Sequence, residues 1–257
     1  MIVISYGIPK SGSTLAFELV RGMLKTAGFE QEVFHNDVRD MSAINPARAR
    51  NFISGVTKEK LDEIIERTGP DRIIVFKTHS DFPDDMFGWL EAAQADRRLQ
   101  VIASYRDPRD ICLSLMDSGA KAREKGKKTF SGIRDLEKAA VKVKGRITEF
   151  RKWAALKGTL RLNYDTVAFE TDSAIAAIES ALNIKSDRER AKEYALEEAH
   201  TLKNKAKRAR YLDEMDDEQK QAMQEMFGRF IARACEQNSQ AWFDRYRAKL
   251  VARGLRL

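Results

Sequence analysis

The octapeptide from Gly7 to Thr14, GIPKSGST, sets two glycines with four residues between them beside a cluster of hydroxyls. Phosphate-binding loops that read G-x-x-x-x-G-K-[ST] use this spacing to let backbone amides cradle phosphate. Their lysine reaches the outer phosphates and their Ser/Thr holds magnesium. Here Thr14 occupies the Ser/Thr position, but Ser13 stands in the lysine's place and the only lysine, Lys10, lies inside the loop. An ordinary tight turn is the other use of such a stretch. Lys10 and the hydroxyls of Ser11, Ser13 and Thr14, with Gly12 among them, favour an anion site without the usual outer-phosphate lysine.

Two further clusters could act on a bound anion. IIVFKTHSD ends in Lys77, where a metal-dependent nucleotide triphosphatase presents an aspartate, so both magnesium-linked features weaken together. His79 is the candidate general base, since an imidazole titrates near neutrality and can accept a hydroxyl proton; activity would then rise with pH through that ionisation. Lys77 is either a strand-end surface lysine or a charge that neutralises a group in transfer. In SYRDPRDICLS, Asp107 and Pro108 form a helix cap and first turn directly after Arg106. Ser114 shares a helical face with positions 107, 110 and 111, so Arg106 and Ser114 can hold one phosphate between them. The competing reading pairs Arg106 with Asp107 or Asp110. His35 and His200 are weaker candidates, and Asp81 is a reserve base.

Short apolar runs must position these groups. IVISY (2–6), EVFH (32–35), IIVFK (73–77), VIASY (101–105) and LRLNY (160–164) predict five strands alternating with helical patterns, the signature of βαβ units and a parallel sheet. Ala16, Leu19, Val20, Met23, Leu24 and Ala27 recur at helical spacing before Gly28, so the loop opens a helix. DEIIERTG, DDMFGWLEAA, DPRDICLSLM and a basic stretch from Ile133 to Leu156 read as helices. A last helical run is predicted from Asp217 to about Val251.

With 257 residues and 43% hydrophobic content, a single α/β domain spanning 1–257 is the simplest accommodation. No run of about 18 apolar residues is present, and the chain is expected to be a cytoplasmic protein with no transmembrane segment. Cys112 and Cys235, far apart in helical patterns, predict neither a disulfide framework nor a metal cluster. The net charge of +7 is unevenly placed: residues 121–152 hold twelve Lys/Arg against four Asp/Glu, and LKNKAKRAR (202–210) adds five cations. Such runs are commonly solvated helix faces.

Taken together, PKSGSTL resembles the 5′-phosphosulfate loop of the sulfotransferases, KTH resembles their catalytic Lys-Thr-His, and Arg106 with Ser114 is similar to their R-x7-S 3′-phosphate motif. The resemblance covers residues 2 to about 167. It implies a P-loop-like three-layer fold, a parallel sheet of about five strands flanked by helices, with a helical C-terminal part. It also implies 3′-phosphoadenosine 5′-phosphosulfate (PAPS) as sulfonate donor, adenosine 3′,5′-bisphosphate as product, and no metal. In that scheme Lys10, Ser11, Gly12, Ser13 and Thr14 hold the 5′-phosphate, Arg106 and Ser114 the 3′-phosphate, and Tyr164 lies by the adenine. Lys10, Lys77 and His79 serve the transfer itself. Leu15 stands where the cytosolic group commonly has Trp, and the glycine-free run 203–210 where that group has Arg-Lys-Gly.

The sequence therefore predicts a PAPS-dependent sulfotransferase whose partners are a nucleotide donor and an acceptor, expected to be a hydroxyl compound, with no nucleic acid. An ATP-dependent kinase-like phosphotransferase and a nucleotide- or phosphate-binding protein without turnover are the alternatives.

Overall fold

The computed structural model describes residues 1–33, 51–199 and 206–252. Its centre is β1 (Ile2–Gly7), buried along its whole length, as a parallel strand with both faces covered must be. β2 (Phe52–Ile53), β3 (Ile74–Thr78), β4 (Leu99–Tyr105) and β5 (Leu160–Asn163) complete a parallel sheet in the order β2-β3-β1-β4-β5. Side-chain alternation on β1 divides the core. Ile2, Ile4 and Tyr6 pack on one face, while Val3 packs on the other with Phe17, Leu19 and Ile175.

Helices cover both faces. α1 (Ser13–Thr26) lies on the Val3 side with α7 (Thr171–Leu182) and α8 (Arg188–Glu193), after the short α6 (Tyr164–Phe169). The Tyr6 side is covered by α2 (Lys58–Thr68), α3 (Phe87–Ala95), α4 (Pro108–Glu124) and α5 (Leu136–Ala155), and by two late helices, α10 (Asp217–Phe230) and α11 (Gln240–Ala252), which follow a single turn, α9 (Tyr211–Glu214). This is a three-layer α/β arrangement. Asp107 caps α4 by accepting from the Arg109 amide, with Pro108 in the first turn, as its sequence predicts.

Register brings the candidate chemistry together. Tyr6 pairs with Thr78 on one side and Ala103 on the other, and Gly7 pairs with Ser104. The loop after Gly7, the Lys77–His79 turn and Arg106 therefore leave adjacent strands at one level, the carboxyl edge where ligands of such sheets collect.

Three expectations change. The strand expected at 32–35 is not formed at Glu32 and Val33, and its remainder lies outside the described residues; the edge strand is Phe52–Ile53. Tyr164 does not extend β5 but opens α6, because the Asn163 side chain accepts from the Asp165 amide and caps a helix there. The C-terminal helix is not continuous: a wide turn at Ile231–Glu236 and a left-handed Asn238 (φ 41°) separate α10 from α11. No helix among the described residues is long and apolar enough to cross a membrane.

Candidate active site

The loop from Gly7 to Gly12 turns on two left-handed residues, Lys10 (φ 73°) and Gly12 (φ 80°), and delivers the chain into α1 with no side chain capping the first amides. Those N–H groups have no partner within the helix, and together with the dipole they favour an anion. Close packing holds this shape. A Cβ on Gly7 would lie 2.4 Å from Ser104 Oγ, and one on Gly12 would lie 2.3 Å from Tyr164 Cδ2. The hydroxyl of Ser11 is turned inward, donating to the Ser104 carbonyl at 3.4 Å, so Ser11 fastens the loop to β4.

Lys77 donates to Thr14 Oγ1 at 2.6 Å, which joins the end of β3 to the first turn of α1. Burial depresses its ammonium to about 8; Glu18 opposes that shift and Lys10 adds to it. Lys10 is itself held below the ordinary lysine value, first by burial and then by Lys121, with Asp117 opposing and Arg106 reinforcing. The site thus crowds several cations together.

His79 Nδ1 lies 2.6 Å from the Gly7 carbonyl. A carbonyl only accepts, so Nδ1 carries the proton and Nε2 is left as the basic nitrogen. Burial, with Lys77 and Arg146 against the opposing Gly7 hydrogen bond, lowers the imidazole to about 3. It is neutral across the physiological range, and this overturns the sequence expectation of a titration near neutrality. Arg146 on α5 donates to the His79 carbonyl at 3.2 Å, a contact that no spacing in the sequence announces. Asp81, the reserve base, is raised by burial and faces Lys152 at 3.5 Å. His35 and His200 lie outside the described residues.

Of the two carboxylates the sequence offers it, Arg106 pairs with Asp110. The ion pair measures 2.7 Å and both side chains are buried, while Asp107 pairs with Arg109 instead. Arg106 also donates to the Lys207 carbonyl at 3.0 Å, and its guanidinium stacks 4.2 Å from the centre of the Tyr164 ring. Its Nε–H is buried without a hydrogen-bond partner among the described residues. Ser114 is buried two turns along α4, and no hydrogen bond joins it to Arg106 among the described residues.

Sequence reasoning missed how the basic run returns to this site. Of residues 203–210, the structure describes 206–210. Arg210 is almost fully buried, bridging Asp117 (2.9 Å) and Glu214 (2.7 Å), and the next amide, of Tyr211, donates to Asp110 Oδ1 at 3.1 Å. Asp110 therefore holds Arg106 with one oxygen and the returning segment with the other. Its spacing four residues after Arg106 was the available signal; the long-range partner had none.

Neither a protein-family profile nor a curated protein matches the chain. Solved structures do. Retinol dehydratase in complex with androsterone and the inactive cofactor PAP superposes with a TM-score of 0.51 at 15% identity, over 90% of this chain and 80% of that one. Mouse sulfotransferase SULT7A1 complexed with PAP superposes with a TM-score of 0.57 at 12% identity, over 95% of this chain and 88% of that one. The chain has the sulfotransferase fold.

Proposed function

We propose that the protein transfers a sulfonate group from PAPS to an acceptor hydroxyl. The observation that carries this reading is the position of Tyr164, whose ring touches Gly12 of the loop and lies under Arg106. One ring thus joins the two anion features into a single site, suited to a nucleotide with phosphates at two places. The neighbours with the same fold were solved with PAP, which supports the same donor.

The residues fit such a ligand. The loop amides ahead of α1 have no side-chain cap, and the Arg106 Nε–H is a buried donor in need of an acceptor. Lys10, the loop amides and the hydroxyls of Ser13 and Thr14 would hold the 5′-phosphate; Arg106, with Ser114, would hold the 3′-phosphate; Tyr164 would flank the base. Thr14 also bears on the kinase alternative. Its hydroxyl, where a triphosphate loop would hold magnesium, accepts from the Lys77 ammonium instead.

In the transfer, the sulfur–oxygen bond to the 5′-phosphate breaks as a bond to the acceptor oxygen forms. Lys10 and the amides stabilise charge on the departing phosphate oxygen. Lys77 neutralises the sulfonate oxygens, and Nε2 of His79 takes the acceptor proton. The anionic donor opposes the low basicity of His79, since a nearby negative charge favours imidazolium.

Incubation with sulfur-labelled PAPS and a panel of phenols, alcohols, amines and carbohydrates tests the reaction. Label should pass to an acceptor and adenosine 3′,5′-bisphosphate should accumulate in equal amount. Transfer of phosphate from ATP, with none of sulfonate, would overturn the assignment.

A further inference from the structure

The basic stretch that runs from the end of α4 into α5 holds none of the residues assigned to the donor, yet it carries most of the protein's net charge. Residues 121–144 hold nine Lys/Arg and three Asp/Glu, a surplus of six in a chain of net +7. Lys125, Lys127, Lys128, Arg134, Lys142 and Lys144 are exposed, and their side chains form no ion pair among the described residues. Cations gathered this densely repel one another and attract an anionic partner.

The loop that carries them is fixed in place. Arg123 donates to the carbonyls of Ser131 (3.0 Å) and Ile133 (2.9 Å), and a Cβ on Gly119 would lie 2.3 Å from the Ile133 oxygen. The 130–133 backbone thus rests directly on α4, and the flanking lysines are presented from a fixed base.

The patch also has a direction. Arg146, Lys142 and Lys138 follow one another at four-residue spacing along one flank of α5, about 6 Å per step. The inner end of this row is Arg146, which is bonded to the His79 carbonyl and to Glu149 at 2.6 Å. On the facing helix, Lys121 is close enough to Lys10 to influence it. The row therefore begins at the reacting centre and leads outward.

We propose that the surface formed by α4, the 125–135 loop and α5 is a docking track for a polyanionic acceptor chain, one that bears carboxylate or similar groups at intervals and presents its hydroxyl to His79. This rests on the sulfonate-transfer reading. A flexible chain can lie along a row of cations that ends beside His79, whereas a flat anionic bilayer meets only the exposed lysines. Each exposed contact is weak, but several along one chain add, and all are screened by salt.

The test is binding of polygalacturonate, its neutral methyl ester and polyglutamate to the protein saturated with adenosine 3′,5′-bisphosphate. The charged chains should bind and the ester should not. Affinity should fall about tenfold or more when salt is raised from about 0.05 to 0.5 M, and by a similar factor in the Lys127→Gln/Lys128→Gln/Lys142→Gln variant. The bisphosphate melting shift of that variant should equal the native one. The track is refuted if neither charged chain binds, if the ester binds as well as the acid, if the triple variant binds like native, or if phosphatidylglycerol vesicles bind more tightly than either chain. A native protein whose melting does not respond to bisphosphate would instead refute the sulfonate-donor reading, and the two failures are separate in the same samples.

Discussion

His79 Nδ1 donates to the Gly7 carbonyl at 2.6 Å, so the residue that closes β1 also fixes the tautomer of the candidate base. Replacing His79 by Asn keeps a donor for that carbonyl and removes the basic Nε2. Turnover should fall about 10²- to 10⁴-fold while affinity for adenosine 3′,5′-bisphosphate is retained. Turnover within a few-fold of native in a folded His79→Asn variant would pass the role to another base, Asp81 being the nearest carboxylate in sequence.

The pH profile follows from two depressed groups. With His79 at about 3 and Lys77 at about 8, kcat/KM should be flat from about pH 5 to 7 and decline as Lys77 loses its proton above about 8. A limb rising through pH 6 to 7 would contradict this. Stability carries the same signature. Because the unfolded imidazole binds a proton below its ordinary value of 6.5 and the folded one only near 3, folding should weaken as pH falls between those values. His79→Asn should therefore unfold at lower pH than native in an acid titration followed by circular dichroism.

Arg106→Ala removes the guanidinium from both Asp110 and the proposed 3′-phosphate. The orphaned buried carboxylate should cost about 3 kcal/mol or more of stability, read from denaturant unfolding. Among folded molecules, affinity for the bisphosphate should drop by about 1.5 to 3 kcal/mol, while adenosine 5′-phosphosulfate, which lacks the 3′-phosphate, should bind almost as before. Equal losses for the two ligands would make Arg106 purely structural.

What could be read in advance followed locality. Four of the strands, the helix after the loop and the Asp107–Pro108 helix start are written in short stretches of apolar pattern and cap chemistry, and all were legible. LRLNY carries its apolar run through Tyr164, whereas a single side-chain cap at Asn163 ends the strand one residue earlier. The site shows the same division. Lys10, His79 and Arg106 reach one sheet edge because strand order and register place them there, and the order of motifs along the chain already implied it. The Arg146–His79 contact and the return of Arg210 and Tyr211 to Asp117 and Asp110 depend on how distant helices pack, for which no local spacing codes.

Gly12 offers a test of the shared wall between the two anion features. Gly12→Ala meets both a left-handed backbone and the Tyr164 ring, whereas Gly28→Ala, at φ 88° with nothing within 4 Å, meets the backbone cost alone. Gly28→Ala should cost about 1 kcal/mol in thermal unfolding; Gly12→Ala should cost more and weaken bisphosphate binding as well. Equal effects at the two glycines would mean that the Tyr164 contact does not shape the site.

The donor assignment is tested most directly by thermal melting of the native protein with adenosine 3′,5′-bisphosphate, ATP, and ATP with magnesium at equal concentrations. Only the bisphosphate can occupy the Lys10 loop and Arg106 together without a metal, so it should raise the melting temperature most, and magnesium should not change the response to ATP. A larger shift with ATP, dependent on magnesium, would contradict the sulfonate-donor assignment and favour a phosphotransferase.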